Sequence, residues 1–159
     1  MNRILADYYP IFTLYQGMRG QLLDIIGDED LMFSPGGENP PLGQLCRDIG
    51  DVEHAYIESF RTFTCDFTAR VSVPEAETSV AHLREWYATL DTDLRAAIER
   101  FTDHDLNHRT VERGADFRLP IQLQLDIYKE ALLIFYGKVS VYLRAMGRPL
   151  PKQWQEWIG

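Results

Sequence analysis

Residues 130–147 read "EALLIFYGKVSVYLRAMG", and from Ala131 to Gly137 no residue carries a charge. Leu132, Phe135, Val139 and Leu143 recur at three- and four-residue steps, the period of a helix with one buried face. Together with Val141, and with Leu123, Ile127, Ala131, Ile134 and Tyr142, they cover more than one face. A stripe that wide predicts burial on two sides, one against the bundle core and one against a partner. A homodimer is the expectation. The helix is expected to begin near Pro120, which suits the first helical position. It should end at Gly147, because Pro149 and Pro151 forbid continuation.

Three further helices emerge when the same period is followed back along the chain. The first is expected over Ile11–Ile26, with Leu14, Met18, Leu22 and Ile25 on one face and Gly17 and Gly20 allowing a close neighbour. The stretch "FSPGGENPPLG" (33–43) holds too many Gly and Pro residues for anything but a loop. The second helix is expected over Leu42–Phe63, with Leu45, Ile49, Val52, Tyr56 and Phe60 as its stripe. The third is expected over Glu77–Phe101, starting after Pro74, with Leu83, Trp86, Leu90, Leu94, Ala97 and Phe101 inward. "TDHDLNHRTVERGADFR" (102–118) reads as a polar connection with a turn at Gly114. No strand alternation is apparent. "KQWQEWIG" (152–159) predicts a short C-terminal helix carrying Trp154 and Trp157. Four striped helices make an all-α four-helix bundle, with residues 1–159 as a single domain.

Composition narrows the function classes. The chain of 159 residues has 16 basic and 24 acidic side chains, a formal charge of −8. A surface of that sign disfavours nucleic acid and anionic membranes. No apolar run approaches the ~20 residues of a membrane span. The opening "MNRILADYYPIF", with Asp7, Pro10 and no apolar run, is not expected to act as a secretion signal. Cys46 and Cys65 share no metal-type spacing and read as reduced thiols. A soluble cytoplasmic protein is the expectation.

The order of these features resembles the DinB-like (DUF664) superfamily, including its YfiT-type hydrolases and thiol-dependent transferases. The resemblance spans about residues 5–151. It rests on "DEDL" (28–31) closing the first helix and "LGQLCRDIGDVEHAYIESF" (42–60) forming the second. "DHDL" (103–106) follows the third helix, and "YGKVSVYLRAMGRPLP" (136–151) closes the last. The resemblance implies a four-helix bundle, often dimeric. It also implies a divalent zinc or nickel ion held by three histidines, one on the second helix and two on the last, six and two residues before the glycine. Histidines four apart share a helix face, and a third from a facing helix leaves open positions for catalysis.

In this chain those positions fall on Asp48, Ala131 and Phe135. None is histidine, and Ala131 and Phe135 cannot ligate. His54 and His82 read as surface residues, and His104 and His108 as members of a polar capping segment. Asp126 and Glu130 share a face but lie about 100° out of phase with Ala131. Asp48 is expected to point inward and to meet Tyr128 or Lys138, because a buried carboxylate requires a partner. These three are the candidates for any metal-free acid–base chemistry. No phosphate loop, nucleophile elbow or HExxH is present. The expectation is therefore a degenerate metal site with no cofactor, serving small-ligand binding in the bundle cleft or interaction with a partner. The alternative is a metal-dependent thiol transferase or hydrolase with non-standard zinc or nickel ligands.

Overall fold

The computed structural model describes all residues 1–159. Four long helices form the bundle: α1 (Tyr9–Ile25), α2 (Leu42–Thr62), α3 (Val80–Glu99) and α5 (Ile121–Ala145). A single-turn helix α4 (Asp103–His108), a two-stranded hairpin β1 (Thr110–Gly114) and β2 (Phe117–Pro120), and a C-terminal α6 (Lys152–Ile158) complete it. α2 packs against both α3 and α5, and α1 closes the square against the same two helices. α1 and α2 thus lie on one diagonal, α3 and α5 on the other.

Local signals place most of the boundaries. The Ser79 hydroxyl caps α3 by accepting the His82 N–H at 3.3 Å. Thr102 and Asp105 bond each other's backbone N–H groups in a capping box that starts α4. α5 ends in a Schellman motif at Gly147, whose φ of 69° favours glycine. There the Arg148 N–H donates to the Leu143 carbonyl at 2.8 Å and the Gly147 N–H to that of Arg144 at 3.0 Å. Close approach, by contrast, occurs at Gly50, where an added Cβ would lie 2.4 Å from the Trp86 ring. Nothing lies within 4 Å of a Cβ at Gly17 or Gly20, so the expected tight helix contact there is not made.

Several expectations are corrected. The chain enters α1 through a π-helical segment, Ile4–Tyr8, anchored by Asn2, whose amide donates to the Ile98 and Phe101 carbonyls. The inward face of α1 carries Phe12, Gln16, Met18, Arg19, Leu22 and Leu23, while Leu14 is exposed. Met18 and Leu22 of the expected face are buried; the rest of the face was missed because Gln16 and Arg19 are polar. α3 starts at Val80, since residues 74–78 fold as a turn around Glu75, whose φ is 58°. The connection after α3 contains the antiparallel hairpin, where Val111 pairs with Leu119 and both are buried. Only that pair faces the core, so alternation over so few residues gave little signal.

All the buried apolar residues except Ala55 and Leu119 form one cluster, which includes Trp154 of α6 and Val111 of the hairpin. The Trp154 indole N–H donates to the Met18 carbonyl at 3.2 Å, fixing α6 across the bundle. No helix is long and apolar enough to cross a membrane. Of the apolar residues read on the wide stripe of α5, Leu123, Ile134 and Val141 are exposed by 43%, 60% and 55%, whereas Tyr142 is buried.

Candidate functional site

α2 and α5 leave a cleft of about 220 Å³ between them. Leu45, Asp48, Ile49 and Val52 line it from α2; Ala131, Ile134, Phe135 and Lys138 line it from α5. It continues into a second space of about 420 Å³ beside Pro40 and Tyr142, with Asp48 and Lys138 on both walls. The positions that the sequence resemblance assigns to metal ligands, Asp48, Ala131 and Phe135, thus face one space. A methyl group, a phenyl ring and one carboxylate do not fit a divalent cation, which needs three or more donors. No group of three His, Cys, Asp or Glu side chains is placed to hold a metal anywhere in the chain.

The expected partners of Asp48 are corrected. Its carboxylate accepts from Arg70 at 3.0 Å and is 40% exposed. Arg70 folds back from the α2–α3 connection, a contact that helical periodicity does not encode. The buried carboxylate of this region is Asp51, which accepts from Arg70 at 2.9 Å, from the Val71 N–H at 3.0 Å and from Arg47 at 3.4 Å. Lys138 sits exposed on the rim and makes no ion pair; the paired lysines are Lys129 and Lys152. Tyr128 is fully buried and lines no part of the cleft; its ring packs on Phe12 and Tyr56. Asp126 is held by the Tyr8 hydroxyl at 2.7 Å and by Lys129, away from Ala131, and Glu130 is exposed. His104 and His108 are exposed and stack on each other; His82 pairs with Glu75; His54 is half-buried.

A second polar locus, in the middle of the bundle, escaped the sequence reading. Arg19 of α1 donates to Glu53 of α2 and to Asp91 of α3, both at 2.5 Å. Gln16 donates to the same two carboxylates, at 3.2 and 2.6 Å. The Tyr87 ring lies 4.3 Å below the guanidinium. Arg19 and Glu53 are 1% and 0% exposed. Burial opposes the charge on Arg19, but Glu53, then Tyr128 and Asp91, outweigh it and hold the guanidinium protonated. Burial likewise pushes Asp91 up to about 7, against the pull of Arg19 and with the push of Glu53. The Tyr128 hydroxyl and the Arg19 Nε have no hydrogen-bond partner. Arg19, Glu53 and Asp91 lie beside the apolar stripes of their helices, not within them, so apolar periodicity alone did not mark them.

No protein-family model matches the chain, and no curated protein matches it in sequence. Solved structures match it in fold. A DinB-like protein from Bacillus cereus superposes with a TM-score of 0.74 at 19% identity, over 90% of this chain and 93% of that one. A DinB-like protein from Bacillus subtilis superposes with a TM-score of 0.68 at 18% identity, over 86% and 90%. This chain has the DinB-like helical fold; identities this low speak for the fold alone.

Proposed function

We propose that this chain is a DinB-like protein whose metal position is degenerate and whose α2–α5 cleft binds a small apolar ligand without metal chemistry. One observation carries the reading: Asp48, Ala131 and Phe135 converge on an open, largely apolar space in which the one carboxylate is already taken by Arg70. Apolar walls with a few polar groups at the mouth are what small-molecule sites use for affinity and orientation. Lys138 at the rim supplies an unpaired cation for the polar end of such a ligand. We also propose a cytoplasmic homodimer, with the uncovered line of Leu123, Ile134 and Val141 as the contact between copies; Ile134 and Val141 border the cleft and its extension, so the partner would wall one side of the mouth. Its unpaired Cys46 and Cys65 suit a reducing compartment.

The test is displacement from the cleft. An anilinonaphthalene sulfonate dye, apolar with one anionic group, should gain fluorescence on binding the wild-type protein. Ala131→Trp, which fills the cleft from a partly exposed position, should abolish that gain while leaving the circular dichroism spectrum intact. Equal fluorescence from the folded variant would place the dye elsewhere and remove the support for this cleft.

A further inference from the structure

On the opposite side of the bundle a separate pocket of about 310 Å³ opens between α1 and α3, lined mainly by polar residues. Its size is at the low end of small-molecule sites, roughly 300–1,000 Å³. Tyr9, Gln16 and Gly17 face it from α1, Asp91 and Arg95 from α3. Gly17 offers no side chain, and no heavy atom lies within 4 Å of where one would begin. The α1 wall is therefore open at that point.

Asp91 and Arg95 stand four residues apart on one helix, the spacing at which opposite charges ordinarily pair. They do not pair here. Asp91 is drawn inward: its Oδ1 accepts from both Arg19 at 2.5 Å and Gln16 at 2.6 Å. Its Oδ2 makes no hydrogen bond, and the side chain remains 38% exposed to the pocket. Arg95 is drawn the other way, its guanidinium resting over the Tyr9 ring at 5.6 Å from the centroid. It makes no ion pair. Two opposite charges are thus held apart by separate anchors, with open space between them.

Behind Asp91 the site is rigidly built. Gln16 is 5% exposed, Arg19 1% and Glu53 0%, and all three are tied into the network that orients the carboxylate. A buried, hydrogen-bonded second layer of this kind fixes a binding group before the ligand arrives.

We propose that this pocket binds a small zwitterion, an amino-acid-like molecule whose ammonium group meets Asp91 Oδ2 and whose carboxylate meets the Arg95 guanidinium. Charges of both signs explain the pocket better than an anion or a cation alone. An anion would face Asp91, and a cation would face Arg95, each unscreened. Arginine also offers a carboxylate two parallel donors, a geometry a lysine could not supply.

Amide chemical shifts of the isotope-labelled protein at pH 7.5, above the value of about 7 at which Asp91 ionises, titrated with L-alanine and β-alanine at millimolar concentrations, test this. At least one should produce saturable shifts in the amides of Gln16, Gly17, Asp91 and Arg95. N-acetyl-L-alanine, which lacks the ammonium, and L-alanine amide, which lacks the carboxylate, should each bind about tenfold more weakly or worse, the cost of one lost ionic contact. Arg95→Gln, at an exposed position, should weaken the zwitterion by a similar factor without changing the response to L-alanine amide. Absence of saturable shifts for both zwitterions would overturn the proposal. So would equal binding of the blocked derivatives, or an Arg95→Gln protein that binds as the wild type does.

Discussion

Arg19 Nη1 lies 2.5 Å from Glu53 Oε2, and both side chains are sealed from water in the centre of the bundle. The pair joins α1 to α2, the two helices that share a diagonal, and Asp91 extends it to α3. Breaking a buried pair leaves a charge without its partner, which costs about 3–5 kcal/mol. Glu53→Ala is expected to lose stability on that scale in urea unfolding. The double variant Arg19→Met with Glu53→Leu should recover much of the loss, since no buried guanidinium remains. If the two single losses simply add in the double variant, the residues do not act as a unit.

Asp91 gives stability a pH dependence of its own. Burial raises its carboxyl from 3.8 to about 7, so the folded protein holds a proton that the unfolded chain releases. Stability from this source is present below the unfolded value and is lost as pH rises towards about 7. The groups around it are Arg19 and Gln16 from α1, Glu53 from α2 and, at the pocket side, Tyr9 and Arg95. The urea midpoint of the wild type should fall between pH 5 and pH 7 relative to that of Asp91→Asn, by direct comparison at each pH. Parallel pH profiles for the two proteins would contradict the assignment.

Glycine substitutions separate packing from propensity. At Gly50 a Cβ would sit 2.4 Å from the Trp86 ring, so Gly50→Ala must displace the indole. The cost of such overpacking is about 1–3 kcal/mol. At Gly20 nothing lies within 4 Å, and Gly20→Ala should stabilise the protein by about 0.5–1 kcal/mol through helix propensity. Thermal midpoints moving in opposite directions for the two variants are the expected result.

Asp48 and Asp51 should behave differently although both meet Arg70. Asp48 forms an exposed pair, so Asp48→Ala is expected to leave the unfolding midpoint nearly unchanged. Asp51 is 4% exposed and accepts the Val71 N–H as well. Removing its buried carboxylate leaves the half-buried Val71 N–H without its acceptor and ends the contacts with Arg47 and Arg70, and Asp51→Ala should cost about 1–3 kcal/mol. A larger loss at Asp48 than at Asp51 would reverse this ranking.

The uncovered line on α5 predicts association. Sedimentation equilibrium should return a dimer for the wild type and a monomer for Leu123→Asp, because Leu123 is 43% exposed and lies outside the cleft. A wild-type monomer at all concentrations would leave that face without a function.

The particular residues explain what was legible in the sequence. All six residues of the α3 stripe, from Leu83 to Phe101, are buried, because a long amphipathic helix repeats one signal many times. The cleft could be approached because Ala131 and Phe135 stand at a fixed distance from Gly137. The partner of Asp48 could not, because Arg70 reaches it from an irregular connection. The central network was hidden for a different reason. Arg19, Glu53 and Asp91 look like surface residues one at a time, and only their shared depth in three helices makes them a cluster.

The most direct test of the central claim is the metal content of the untagged protein by mass spectrometry, before and after exposure to excess zinc or nickel and desalting. With Ala131 and Phe135 where ligands would stand, the account predicts no stoichiometric retention of either metal. One tightly held ion per chain, lost on Asp48→Ala, would contradict it and make the α2–α5 cleft a metal centre.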